Sequence, residues 1–225
     1  ARQQGYAVAR AHCYAAQGAP AYAPVAAWLR AEGVRLNLAR LDPVWLSEVT
    51  RLLPELLTEH PNLPAPAPLR ESWRRQRFFD ALARSVASTA GPLLLFLDNA
   101  HWCDADTLAW LHFLFRNAVR TPLLVVGTVR GDELDVAQPL NELMTALRQC
   151  NQISVIELGP LDAAETARLA VQVVDAPLAQ AEAEALYRET EGNPLFIVET
   201  LRAGWLAHLR NLAAAQPDDG AREAA

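Results

Sequence analysis

The chain has 225 residues, 52% of them hydrophobic, and a net charge of -6, which suits one large globular domain or a domain with a small appendage. The acidic balance supplies no electrostatic footprint for DNA or RNA, and no stretch approaches the roughly 18 to 20 unbroken apolar residues a membrane helix needs. All 20 basic residues are arginine; without lysine, a phosphate-binding loop of the form GxxxxGK followed by Ser or Thr cannot lie within these residues.

The three cysteines, Cys13, Cys103 and Cys150, are odd in number and widely spaced, so reduced thiols are expected rather than a disulfide framework. The first residues lack the charged-then-apolar order of a signal peptide. A cytoplasmic protein is the expectation.

Taken in order, Ala1 to Gln4 reads as the end of a helix, so the chain reads as starting mid-fold. Gly5 then opens a strand over Tyr6 to Cys13. Ala21 to Ala31 places Val25, Trp28 and Leu29 at helical spacing, with Gly33 as the stop. Leu41 to Glu59 carries a second helical stripe that Pro54 kinks or breaks. The proline-rich HPNLPAPAPL at His60 to Leu69 predicts an extended surface connection. Arg70 to Ala90 predicts a helix with Arg70, Arg74 and Arg77 on one face, either a patch for phosphate or a partner, or cations neutralising nearby acids.

Gly91 to Asp106, GPLLLFLDNAHWCDAD, passes from an apolar run to a polar cluster within three residues. Leu93 to Leu97 shows no alternation, the pattern of a strand buried on both faces of a parallel sheet. Asp98 closes it at the carboxyl end, where open α/β sheets place their ligands. A carboxylate there suits Mg2+ facing phosphate oxygens; it suits equally the capping of the next helix. An amphipathic helix follows over Asp104 to Val119, then a second apolar run, Pro122 to Val129, ending at Arg130. Two such runs around one helix make a βαβ unit with parallel pairing.

If these strands are neighbours, Arg130 reaches the same crevice as Asp98 and can contact a terminal phosphate; it reads equally as a surface arginine in the turn before Gly131. Beyond a helix over Pro139 to Gln149 and a strand over Ile153 to Leu158, three helices are predicted, over Ala163 to Val174, Leu178 to Glu189 and Pro194 to Leu209, with Asp162 and Glu165 as a capping box. Gly192, Asn193 and Pro194 have the order of C-cap, N-cap and first helical residue. His101, Cys103 and Asp104 are near in sequence but lack the paired spacing of a zinc module. No GxSxG occurs.

Four stretches, LLLFLDNAHWCDADTLAWLHFLFR, LLVVGTVRGDEL, IELGPLDAAETARLA and LYRETEGNPLFIVETLR, together resemble the STAND branch of the AAA+ P-loop ATPases. The closest resemblance is to the ATPase module (Orc1-like AAA domain) of large LuxR-type and related bacterial transcriptional regulators, over about residues 1 to 209. It implies an α/β fold, a parallel sheet sandwiched by helices and missing its first strand, followed by a small all-helical lid. The implied domains are an incomplete P-loop NTPase core over 1–160, a lid over 161–210 and a flexible tail over 211–225. The implied cofactors are ATP or ADP with Mg2+. Asp98 corresponds to the Walker B metal carboxylate, with His101, Trp102 and Asp104 in the motif that continues it. Arg130 matches the sensor arginine, and Gly192, Asn193 and Pro194 match the lid motif near the adenine.

Two departures from the family pattern carry consequences. The glycine-rich loop, its lysine and the strand feeding them are expected before residue 1, and position 99 is Asn where a second acid is usual. Asn99 can orient a water but cannot take its proton, and the 225 residues alone are expected not to hydrolyse ATP. The missing strand is expected between those ending near Leu158 and Val129, leaving apolar edges exposed. The implied role is an ATP/ADP-binding switch within a larger regulator, partnered by nucleotide and by the rest of its own protein or a homo-oligomer, with no direct nucleic-acid contact and no membrane. The alternative is an NTPase-like scaffold for protein interaction that binds no nucleotide.

Overall fold

In the computed structural model, which describes residues 5–15, 20–66, 71–89, 91–117, 122–134 and 138–207, the apolar runs of the first half build a parallel sheet. Its strands β1 (Ala7–His12), β2 (Leu93–Asp98) and β3 (Leu123–Gly127) stand in the order β1-β2-β3. His12 lies opposite Asp98, and Leu97 opposite Gly127. Both pairings are parallel because helical crossovers separate the strands in sequence.

The first crossover contains α1 (Ala23–Arg30), α2 (Glu32–Leu38), α3 (Pro43–Val49), α4 (Leu56–Glu59) and α5 (Glu71–Ala87). Gly33 does not end α1, although the sequence reading made it the stop. The helix stops at Ala31, whose ψ of 135° is extended, and Gly33 lies in the first turn of α2. A Cβ there would come 3.1 Å from the Ala7 Cβ, so the glycine lets α2 approach β1. Pro54 does break the next stripe, leaving α3 and α4 as separate short helices.

Trp28 of α1 is fully buried and donates its indole N–H to the Phe96 carbonyl at 3.0 Å, which fastens the crossover to the middle strand. Glu48 of α3 is also fully buried; its carboxylate meets Arg51 Nε at 2.8 Å and Arg77 Nε at 3.1 Å. Arg77 and Arg84 of α5 also lie over the Trp45 ring, at 5.7 and 4.4 Å. Arg77 therefore serves packing between α3 and α5 rather than a free cationic face, while Arg70 lies outside the described residues.

The second crossover is α6 (Ala105–Arg116), and α7 (Gln138–Gln149) follows β3. Leu93, Leu95 and Leu97 of β2 are buried, whereas Leu94 and Phe96 are only half-buried. Coverage is thus complete on one face and partial on the other, less than the unbroken apolar run predicts. In β3, Leu124 and Val126 are 55% and 37% exposed, and its outer edge has no ladder partner among the described residues.

The strand expected over Ile153 to Leu158 does not form. Ile153 packs on the core, but residues 154–158 have no regular secondary structure, and Ile156 and Leu158 are 81% and 92% exposed. Apolar side chains alone do not make a strand; its N–H and C=O groups need pairing with an edge, and this segment pairs with none of the three strands among the described residues.

The chain divides into two compact units between Ser154 and Val155. In the second, α8 (Ala163–Val174), α9 (Gln180–Thr190) and α10 (Pro194–Arg202) surround Ala170, Leu186, Ile197 and Leu201. The Asp162–Glu165 capping box opens α8 as expected. α10 ends at Arg202, and a turn at Ala203 and Gly204, the latter with a φ of 82°, interrupts the helix expected to run on to Leu209; residues 205–207 are helical again. Residues 1–4, 208–209 and the tail over 211–225 lie outside the described residues. Among the described residues no helix is long and apolar enough to cross a membrane.

Candidate functional site

Parallel register brings the carboxyl ends of all three strands to one edge, and there four polar side chains form a single network. The Thr128 hydroxyl, one residue beyond β3, donates to Asp98 Oδ1 at 2.5 Å and accepts the Asn99 backbone N–H at 2.9 Å. His12, the last residue of β1, places Nδ1 2.9 Å from Asp98 Oδ2. Its Nε2 lies 3.2 Å from the Asn99 side-chain nitrogen. The Asp98 side chain is 40% exposed. The Thr128 hydroxyl first, then His12, hold its carboxyl below the usual carboxylate range, so it is an anion open to solvent with lone pairs to spare.

Asn99 adopts the left-handed conformation (φ 55°, ψ 50°), which asparagine tolerates better than most residues. That residue turns the chain out of β2 into a 3-10 turn, Ala100–Trp102. Backbone bonds from Thr128 N–H to Leu97 O (3.0 Å) and from Ala100 N–H to Thr128 O (2.8 Å) continue the pairing past the strand ends and fix Thr128 beside Asp98.

Arg130 stands at the same edge, its backbone N–H donating to His101 Nδ1 at 3.3 Å. Its guanidinium is not brought to Asp98. It turns to Asp132 at 3.4 Å and Glu133 at 3.8 Å, with 60% of the side chain exposed. Glu133 in turn accepts the Trp102 indole N–H at 2.8 Å. His101 and Trp102 therefore brace the loop after β3.

The model of the AAA ATPase domain family matches residues 1–126 of this chain, which takes in β1, β2 and the Asp98 turn. The chain belongs to the AAA ATPase domain family. Comparison with curated proteins and with solved structures found no match in either. As an AAA-type module it is a nucleotide-binding P-loop NTPase relative, and its three-stranded parallel sheet surrounded by helices agrees with that fold. In P-loop NTPases Mg2+ is held by one or two protein groups together with the nucleotide's phosphates rather than by an all-protein cage. The single ionised, accessible Asp98 fits that role.

Other residues near this turn have structural work. Asp104 caps α6, accepting the Thr107 N–H at 2.8 Å and the Tyr22 backbone N–H at 3.1 Å. The Cys13 and Cys103 thiols act on one another, which lowers Cys13 and raises Cys103 in pKa. Among the described residues no group of three or more His, Cys, Asp or Glu is placed to hold a metal.

In the second unit, Asn193 caps α10 by accepting from Leu195 N–H at 3.0 Å and Phe196 N–H at 3.4 Å, with Pro194 at the helix start. Gly192 has a φ of +74°, and a Cβ on it would fall 2.0 Å from the Leu161 carbonyl oxygen. Asn193 and Pro194 thus meet the capping roles read from their order, whereas the C-cap of α9 is Glu191, itself left-handed at φ 48°, and Gly192 is the residue after it.

The sequence reading missed His12 and Thr128. Their signal was slight: each is a polar residue at the carboxyl end of a β-favouring run, as Asp98 is. Only the register shows that all three ends converge.

Proposed function

We propose that this AAA module is an ATP/ADP-binding switch, part of a larger transcriptional regulator, whose phosphate-binding loop is supplied by polypeptide outside these 225 residues. The reading rests on one observation above the others: the ionised, accessible Asp98 at the carboxyl end of the middle strand, held by the ends of its two neighbours. In this reading Asp98 holds Mg2+ directly or through water. Bound Mg2+ would neutralise phosphate charge. Asn99 presents an amide beside that carboxylate, able to orient a water but not to accept its proton, so nucleotide exchange rather than rapid turnover sets the state. Arg130 serves as the phosphate-sensing arginine by leaving Asp132 and Glu133, two long rim contacts that cost little to break. Gly192, Asn193 and Pro194 are assigned to the adenine by the family resemblance.

Calorimetric titration of Mg2+–ADP into the chain extended in frame by its own upstream segment tests the reading. Micromolar binding that Asp98→Ala weakens at least tenfold is expected; equal binding by the two overturns it. A scaffold without nucleotide is the second reading, favoured by the absence of lysine and by the exposed edge of β3. No binding by the extended chain would select it.

A further inference from the structure

Resting on that reading of Asp98, we propose that His12 is a positioning residue: it clamps the metal carboxylate and turns the Asn99 amide so that its oxygen accepts from metal-bound water. The hydrogen-bond directions follow from elementary chemistry. An ionised Asp98 only accepts, so His12 Nδ1, 2.9 Å from Oδ2, carries the proton. In the neutral ring Nε2 is then bare and accepts from Asn99 Nδ2 at 3.2 Å. This orients the amide. Its NH2 group faces the ring, and its Oδ1 makes no hydrogen bond among the described residues.

The backbone reinforces this arrangement. Asn99 N–H is held by Thr128 Oγ1 and its φ is 55°, so the Cα–Cβ bond leaves the main chain in a fixed direction and the contact with His12 sets the side-chain torsions beyond it. His12 is itself fixed by the β1–β2 register opposite Asp98 and by an edge contact with Tyr14, ring centres 4.5 Å apart. One imidazole thus orders two neighbouring residues of the candidate site. It gives the amide at position 99 an acceptor facing water, as a carboxylate there would, without the capacity to remove a proton.

The test uses the 225-residue chain with Mn2+ alone as a paramagnetic probe, which reports weak occupancy through site-selective broadening of NMR signals. Broadening centred on Asp98, Asn99 and Thr128 is expected, and Asp98→Ala should abolish it; persistence there refutes the metal assignment itself. With that arm passed, His12→Ala should raise the Mn2+ concentration needed by about tenfold, the usual scale for losing a group that orients a metal ligand. His12→Asn keeps a donor near the Nδ1 position and should recover the midpoint, while the Asn99 side-chain NH2 signals stay shifted as in His12→Ala. Ring 15N shifts should show Nδ1 protonated and Nε2 bare. An unchanged midpoint in His12→Ala, no recovery in His12→Asn, or the opposite tautomer overturns the positioning role while leaving Asp98 as the metal carboxylate.

Discussion

The Thr128 hydroxyl joins Asn99 and Asp98: it accepts the Asn99 backbone N–H at 2.9 Å and donates to the Asp98 carboxylate at 2.5 Å. One side chain at the end of β3 thereby fixes both the conformation of the turn after β2 and the charge state of its last residue.

The pH dependence follows from that donor. Asp98 has a folded pKa below its unfolded value of about 3.9, so its contribution to stability is fully present above the unfolded value and is lost as pH falls through the folded one. Thr128→Val removes the largest cause and should move the Asp98 midpoint upward. A carboxyl-carbon NMR titration reads both, and an unchanged midpoint would show that the hydroxyl does not donate.

At position 99 the left-handed backbone limits which residues are tolerated. Asn99→Gly and Asn99→Asp should change stability by only a few tenths of a kcal/mol, whereas Asn99→Val should cost about 1–2 kcal/mol. Urea unfolding separates them. In nucleotide-loaded protein, Asn99→Asp should also raise hydrolysis, because it restores a proton acceptor.

Glu48 is a fully buried carboxylate held by Arg51 and Arg77. Glu48→Ala takes a buried carboxylate away from two arginines and should cost about 3 kcal/mol, the lower end for a broken buried pair because both arginines are about a third exposed. Chemical denaturation measures it. A loss below half that size would mean that Arg51 and Arg77 find water instead.

Two glycines of the second unit make an internal comparison. Gly192→Ala meets both a positive φ and the Leu161 carbonyl oxygen, and should cost about 2–3 kcal/mol; Gly204→Ala meets a positive φ and open space, and should cost about 1 kcal/mol. Equal effects on melting would show that the Leu161 contact yields. Neither change should shift the Asp98 midpoint.

The exposed edge and apolar face of β3 should make the 225-residue chain associate as its concentration rises. Leu124→Lys places a charge at a residue that is 55% exposed and should suppress this without lowering stability. Sedimentation velocity distinguishes monomer from larger species.

Much of the architecture was legible locally. The apolar run ending at Asp98, the caps at Asp104, Asp162 and Asn193, and the break at Pro54 all depend on residues within a few positions of one another, and all are present. The strand over Ile153 to Leu158 failed because pairing needs an edge that no local pattern can report. Gly33 was misread for a similar reason, since its use is an approach to Ala7, 26 positions earlier.

For the site, the sequence by itself marked Asp98 and Arg130 as chemically able residues at strand ends, the family resemblance added Asn99, and the lack of lysine ruled out a complete phosphate loop within the chain. The tertiary structure alone decided that His12 and Thr128 grip Asp98 while Arg130 turns to Asp132 and Glu133. The physical reason is range: a side chain's chemistry and its neighbours' helical or strand periodicity are written within about one turn, but a hydrogen bond between residues 86 positions apart exists only once parallel register has brought their strands together.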